Sequence, residues 1–193
     1  MIKSNCQNIS NNPNQLIKLN WMNNVFSNRL KMSSDNSKIP EKSPSESHAE
    51  VIVRMFPSDA NPAGNVFGGE ILKHIDMVAG IVAQRHAQSN AVTVCMDSVN
   101  FLKPVFVGNV LTLNARINYV HNSSMEIEVK AEAEDILTGI RTVTGTAFVT
   151  FVALDNNGKP SRVANLSLKT DDDRFKFNEG KIRMEKRLKN RQK

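Results

Sequence analysis

Residues 59–76 read DANPAGNVFGGEILKHID and hold the groups with the most chemical promise in the chain. Asp76 sits among Ile71, Leu72, Ile75, Val78 and Ala79, although aspartate is a mediocre helix former and costly to bury without a partner. Such a carboxylate either pairs with a nearby cation, Lys73 or Arg85, or serves a bound substrate as a catalytic group. Gly68 and Gly69 precede the helical pattern. Tandem glycine there either makes a tight turn or lets a substrate carbonyl approach the bare N–H groups of a first helical turn, where developing negative charge is stabilised. Asn61, in the preceding loop, either closes that loop as an Asx turn or points its amide at a carbonyl. Glu70 suits a first helical turn and suits solvent equally well.

Other chemistries lack their residues. There is no GxxxxGK phosphate loop, no dinucleotide glycine fingerprint, no HExxH and no GxSxG nucleophile turn. His48, His74, His86 and His121 are not clustered as zinc ligands, and His74 and Asp76, two apart on a helix, do not share a face. No metal is expected.

Hydrophobic spacing assigns the elements that position these groups. Residues 49–55 alternate, with Val51, Val53 and Met55 on one face. Residues 67–86 form the one long stretch of helical period, in which Ile71, Ile75, Val78 and Val82 make a stripe widened by Leu72, Ala79 and Ala83. Asp76 lies at the edge of that stripe. Beyond it the period becomes two. VTVCMDSVNF, VLTLNARINYV, SMEIEVKAEAED and RTVTGTAFVTFVAL read as four strands separated by turns. Tyr119 is expected on the face of Ile117, Val143 on that of Ala147, and Glu126 and Glu128 on a solvated face. The second face of the last strand, carrying Thr144, Phe148 and Thr150, is poor in charge and is expected to meet another subunit. One helix over a broad antiparallel sheet is an α+β layer with incomplete cover, so self-association is expected.

The chain has 193 residues, 40% of them hydrophobic, and a formal charge of +6. That suits one domain with tails: residues 1–47 a flexible, in part helical, N-terminal tail, 48–165 the folded domain, and 166–193 a basic C-terminal extension, helix-prone after Gly180. The basic excess lies in the ends, and no aromatic stacking platform accompanies it, so nucleic acid is not the expected partner. Two cysteines, Cys6 and Cys95, make no disulfide framework and point to a reducing compartment. No run is long and apolar enough for stable membrane insertion. A cytoplasmic location is expected, with the acid-free start leaving an organelle-targeting role open.

The run DANPAGNVFGGEILKHIDMVAGIVAQRHA, continued by VNFLKPVFVGNVLTLNARINYVHNSSMEIEVKAEAED and GTAFVTFVALDNNGKP, resembles the hot-dog-fold acyl-CoA thioesterases. The branch is that of the cytosolic and brown-fat-type long-chain hydrolases and their small bacterial relatives. The ordered combination of Asn61, Gly64, Phe67-Gly68-Gly69, Asp76, Phe101, Pro104, Gly108 and Ser124-Met125 carries the likeness, over residues 48–165. The resemblance implies a curved antiparallel sheet wrapped around one long helix. It also implies dimers that pair their sheets edge to edge, and a homohexamer built as a trimer of dimers. By the same implication the chain hydrolyses fatty acyl-CoA to fatty acid and CoA, with no cofactor beyond the coenzyme A of its substrate and product. Asp76 becomes the base or nucleophile, the Gly69 N–H an oxyanion donor, and Asn61 a group contributed by the opposing subunit. Phe67, Gly68, Val99 and Phe101 border the substrate, while Ser124, Arg85, Lys103 and Arg162 are candidates for coenzyme A. Hydrolysis of another CoA thioester, or acyl-CoA binding without catalysis, are the alternatives. His74 replaces the aromatic usual in the family just before the helix aspartate.

Overall fold

Alternating apolar residues on four long segments dictate a sheet with one dry face, and the computed structural model, which describes residues 40–191, shows it. The strands β2 (Ala49–Arg54), β3 (Asn90–Phe101), β4 (Val110–His121), β5 (Ser124–Asp135) and β6 (Ile140–Leu154) form one antiparallel sheet in the order β2-β4-β5-β6-β3. Two short strands, β1 (Glu41–Lys42) and β7 (Asn165–Leu166), pair in parallel beside it. The helices are α1 (Pro44–Ser47), α2 (Gly68–Ala87) and α3 (Asp171–Arg191).

Helix α2 lies in the concave face of the sheet. Its stripe of Ile71, Ile75, Val78 and Val82, with Ala79 and Ala83, is buried against Leu111, Leu113, Ile117, Ile127, Val129, Val149 and Phe151. Each fully buried aliphatic side chain there contributes about 1.5–3 kcal/mol. The helix ends at Gln88, which adopts a left-handed conformation (φ 52°) and donates its N–H to the Gln84 carbonyl. That turn redirects the chain into β3.

Order begins earlier than residue 48. Residues 40–47, expected within the flexible tail, are folded and clasp the C-terminal end of α2. The Lys42 ammonium donates to the carbonyls of Arg85 and His86, which no intrahelical N–H reaches. His86 is buried between two elements: Nε2 donates to the Ala164 carbonyl at 2.9 Å, and Nδ1 accepts from the Ser47 hydroxyl at 3.2 Å. With Nδ1 as an acceptor, the ring is neutral. Burial lowers the His86 pKa below 6.5, partly opposed by the Ala164 carbonyl. Stability from the neutral ring is therefore complete above pH 6.5 and is lost as the pH falls below it, toward the lowered folded-state value. The melting temperature should drop as the pH falls below 6.5, and His86→Gln should flatten that part of the profile. Equal slopes in the two proteins would remove His86 from the account.

The C-terminal segment departs further from expectation. It is a helix over Asp171–Arg191, and it packs on the convex face of the sheet. Gly180, expected to precede a helix, lies inside it at the closest approach: a Cβ there would stand 2.7 Å from the Tyr119 Cβ. Arg183 pairs with Glu126 at 2.8 Å and Lys176 with Glu128 at 2.5 Å; Arg187 reaches Asp97. Arg116 spans Asp172 at 2.6 Å and Asp173 at 2.8 Å. Glu126 and Glu128, expected to be solvated, are thus buried. The Arg183 guanidinium also stacks 3.9 Å over the Phe148 ring. Part of the low-charge face of β6, at Phe148, is accordingly covered by the chain's own helix.

Two register shifts redirect individual side chains. Between Ile117 and Tyr119 the pairing with β5 slips, so Tyr119 lies on the convex face against Phe177 and Val120 turns inward. A second slip, between Ala131 and Glu132, makes Thr144 the extra residue of β6. Val143 therefore faces opposite to Ala147 and is 47% exposed. Strict alternation cannot anticipate an inserted residue.

Candidate functional site

The first half of the site is the approach to α2. The Asn61 side-chain oxygen accepts from the N–H groups of Ala63 (2.9 Å) and Asn65 (3.3 Å), and its backbone carbonyl accepts from Gly64, which turns at φ 85°. The Asx turn is therefore present. It also spends only the carbonyl end of the amide: Asn61 Nδ2 makes no hydrogen bond among the described residues, so it remains a donor held in a fixed place. The loop is pinned at both ends, by the Phe67 N–H on the Asp59 carbonyl (2.7 Å) and the Val66 N–H on the Val105 carbonyl (2.8 Å).

Phe67 precedes the helix without a side-chain cap, so Gly68 and Gly69 open it with amides that have no intrahelical acceptor. Gly69 also makes room for Phe67: a Cβ at Gly69 would come within 2.4 Å of the phenyl ring. Asn61, Gly68, Phe101 and Lys103 line one open cleft of about 280 Å³, together with Ile71 and Leu102. Val99 lies just beyond, in a narrower slot that the cleft meets at Ile71 and Phe101.

The second half surrounds Asp76. Its Oδ1 accepts a 2.7 Å hydrogen bond from the Thr93 hydroxyl on β3. The cations considered from the sequence are engaged elsewhere: Lys73 pairs with Glu70, and Arg85 donates to the His48 carbonyl. Thr93 was missed by sequence reasoning. The available signal was a hydroxyl residue at an inward position, since Thr93 stands opposite Phe151 on the face that meets α2.

These halves are separate within one chain. Gly69 and Asp76 are seven residues apart, nearly two turns along one side of α2, which places them about 10 Å apart along its axis. A carbonyl held by the Gly69 N–H at hydrogen-bond distance is beyond the reach of the same chain's Asp76. The sequence reading brought both to one carbonyl; helical rise forbids it.

Three candidates for coenzyme A lie away from the cleft. Arg85 is at the far end of α2. The Ser124 hydroxyl closes the β4–β5 turn onto the His121 carbonyl at 3.0 Å. Arg162 is exposed in the segment after β6.

The sheet has two edge strands, β2 and β3, neither of which has a second partner among the described residues. Strand β3 bonds only to β6, and two slips in that pairing make Val94 and Asp97 its extra residues. Val92 and Val94 on this strand are 40% and 43% exposed, and Phe101 51%. Asp97 is held by the hydroxyl of Thr150 (3.0 Å) and by Arg187.

A long helix wrapped by an antiparallel sheet, with an acid on the helix and free amides at its start, defines a hot-dog thioesterase domain. The Thioesterase superfamily matches residues 63–140. The chain is 42% identical over 120 residues to an uncharacterized acyl-CoA thioester hydrolase of Bacillus subtilis, covering 62% of this chain and 70% of that one. It is 40% identical to the mouse cytosolic acyl coenzyme A thioester hydrolase over 72% of this chain, though over only 37% of that longer protein. Among solved structures, the acyl-CoA hydrolase of Staphylococcus aureus, in complex with butyryl coenzyme A, coenzyme A and coenzyme A disulfide, superposes with a TM-score of 0.74. It is 36% identical, over 79% of this chain and 93% of that one. An apo-hexameric acyl-CoA thioesterase gives 0.76 at 34% identity, over 79% and 97%. The chain belongs to the acyl-CoA thioester hydrolases of the thioesterase superfamily. The S. aureus enzyme is also solved with alanine in place of an asparagine, an aspartate and a threonine, separated by 15 and 17 residues. Asn61, Asp76 and Thr93 have those separations here.

Proposed function

We propose that the chain hydrolyses fatty acyl-CoA at a site made by two copies paired through the free edge of β3. One copy supplies Asn61 and the Gly68–Gly69 amides, and the other supplies Asp76 with Thr93. The observation that carries this reading is the axial separation of about 10 Å between the helix-start amides and Asp76, too great for one carbonyl. The matching spacing of the three residues altered in the S. aureus enzyme supports the choice of groups.

The thioester carbonyl oxygen lies at the Gly69 N–H and the Asn61 amide of the first copy. Asp76 of the second takes a proton from water as the water oxygen bonds to the carbonyl carbon. Thr93 occupies Oδ1 and orients the carboxylate, leaving Oδ2 for the proton. The tetrahedral oxyanion is stabilised by donors already in place, at the positive end of α2. Its collapse breaks the C–S bond and releases fatty acid and the CoA thiolate, which regains a proton. Direct attack by Asp76 would instead leave an acyl-enzyme anhydride. Lys103, at the cleft mouth, is placed to meet a phosphate of coenzyme A. Three such dimers form a hexamer, as in the similar thioesterase solved as one.

Mixed oligomers test the shared site. Asn61→Ala and Asp76→Asn should each be nearly inactive alone. Co-refolded in equal amounts, they should regain about a quarter of wild-type CoA release, because half of randomly paired dimers are mixed and each mixed dimer holds one intact site. A mixture as inactive as its parents, with differently tagged copies of the two variants co-purifying, places both residues in one chain's site and overturns the reading.

A further inference from the structure

In its middle, strand β3 carries two more residues than the part of β6 it pairs with. Thr93 stands opposite Phe151 and Val99 opposite Ala147, and Val94 and Asp97 are the residues inserted between those pairs. Each insertion reverses the face that the following side chains meet. Cys95, opposite Thr150, and Met96, opposite Val149, are therefore out of phase with Thr93, Val99 and Phe101. Met96 packs against the core beneath α2, while the Asp97 carboxylate points to the convex face. There it has three partners. The Thr150 hydroxyl donates to Oδ2 at 3.0 Å, the Cys95 thiol donates to Oδ1 at 3.3 Å, and Arg187 of α3 pairs with Oδ2. The Arg187 and Asp97 side chains are 13% and 15% exposed, so this pair is largely shielded from solvent. Among the described residues, the other cations that tie α3 to the sheet meet β4 and β5; Arg187 is the one that reaches β3, the strand that carries Thr93.

We infer that Arg187 is a positioning residue for hydrolysis: by holding Asp97 on the convex face, it fixes the register that presents Thr93 to Asp76. The inference rests on the hydrolase reading above. Suppose the two insertions closed up while Val99 kept its place opposite Ala147. Cys95 would then stand opposite Phe151, and Thr93 would move along to Ala153. Asp76 would lose the hydroxyl that now holds it at 2.7 Å. The same shift would turn Asp97 inward, opposite the fully buried Val149, and drive Met96 outward. Two effects oppose it. A carboxylate among aliphatic side chains is costly to bury without a partner. The bonds from Arg187 and Thr150 also exist only while Asp97 points outward, and they hold the inserted residue in place. The first effect belongs to Asp97 alone; the second brings α3 to bear on the site. Arg187 touches neither the substrate nor Asp76. It acts through β3, from the opposite face of the sheet, on which side chain stands beside the carboxylate.

The test follows CoA release from butyryl-CoA and lauroyl-CoA by wild type, Arg187→Met, Arg187→Lys and Asp97→Leu, each also combined with Thr93→Val. Arg187→Met should lower kcat about fivefold or more, with KM within about twofold of wild type. Arg187→Lys keeps the charge and should restore most of the loss. Asp97→Leu removes both the anchor and the penalty for facing inward, and should cost about ten- to a hundredfold, as much as losing the Thr93 hydroxyl itself. In the Thr93→Val background each substitution should add less than about twofold, because the hydroxyl it positions is already gone. Methyl NMR of the methionine-labelled protein reads the register without turnover. The Met96 methyl, assigned with Met96→Leu, should show an Overhauser contact to Val149 that weakens in Arg187→Met and Asp97→Leu. The Arg187 variants decide the question if Asp97→Leu does not fold. Activity of Arg187→Met within about twofold of wild type, or losses that multiply with that of Thr93→Val, overturn the proposal. So does a Met96 contact unchanged in Arg187→Met. A wild type that releases no CoA, while the Met96 contact still weakens in the variants, sinks the hydrolase reading and leaves the register lock standing.

Discussion

Asp76→Asn is expected to reduce CoA release from acyl-CoA by about 10²–10⁴-fold, the usual contribution of a positioned base, with melting temperature and sedimentation unchanged. The substitution preserves shape and the Thr93 contact while removing the capacity to take a proton. Thr93→Val removes a hydrogen bond to a charged acceptor and should cost about ten- to a hundredfold, in kcat more than in KM. The ordering matters as much as the sizes, because the hydroxyl acts only through the carboxylate. Rapid-mixing kinetics separate the two roles of Asp76: a burst of CoA ahead of fatty acid would mark an acyl-enzyme and replace the base by a nucleophile. Turnover of Asp76→Asn within tenfold of wild type would move the chemistry to another residue.

The largest stability effect should come from Arg183→Ala. The Glu126 side chain is 1% exposed, and Arg183, 25% exposed, donates to it from Nε (3.1 Å) and Nη2 (2.8 Å). Removing the cation leaves a buried carboxylate without its charge partner, which costs about 3 kcal/mol, the low end of the range because the guanidinium is partly solvated. For a chain of this size that is a fall of about 6–12 °C in melting temperature. The pH dependence identifies the cause. Burial raises the Glu126 pKa above 4.5, and the hydrogen bonds and charge of Arg183 oppose that rise. Without Arg183 it climbs further. A carboxyl whose folded-state pKa is raised adds stability at low pH and loses it as the pH rises through that value. The deficit of Arg183→Ala against wild type should therefore be full at neutral pH and close as the pH falls toward 4.5. Adding Glu126→Gln to Arg183→Ala should recover part of the loss at neutral pH. A deficit that is constant with pH would instead assign the loss to the stacking of Arg183 on Phe148.

What the sequence disclosed follows the periods it wrote plainly. The α2 stripe and the inward residues of β4 and β5 up to Ile117 were legible because 3.6- and two-residue spacing reports directly which face is dry. Tyr119 and Val143 were misplaced because each adjoins a residue inserted into the ladder, which leaves no compositional trace. The burial of Glu126 and Glu128 was hidden for another reason. A carboxylate under a guanidinium reads in sequence as a carboxylate in water, and the helix that covers it is too charged to be recognised as a cover. Residues 40–47 looked like linker because their anchors, Lys42 and Ser47, bind backbone and a histidine far away in sequence. At the site, Asn61, Gly69 and Asp76 stood out by type and spacing, and the expectation that Asn61 comes from the opposing copy came from the family resemblance alone. Thr93 needed the register. The expectations placed on residues 1–39 lie outside the described residues.

The inward side of α3 touches the sheet through Asp172 and Asp173, Lys176, Arg183 and Arg187, each matched to an opposite charge on β3, β4 or β5. An apolar seam of that length would accept almost any greasy helix. This one behaves as a lock with charge-coded pins: an unrelated amphipathic segment landing on the convex face would strand Glu126, Glu128 and Asp97 beneath hydrocarbon, a worse outcome than leaving the face bare. The surface therefore discriminates its own helix from substitutes, including the same helix displaced by one turn. Fidelity of assembly is thereby built into a face that carries none of the reacting groups.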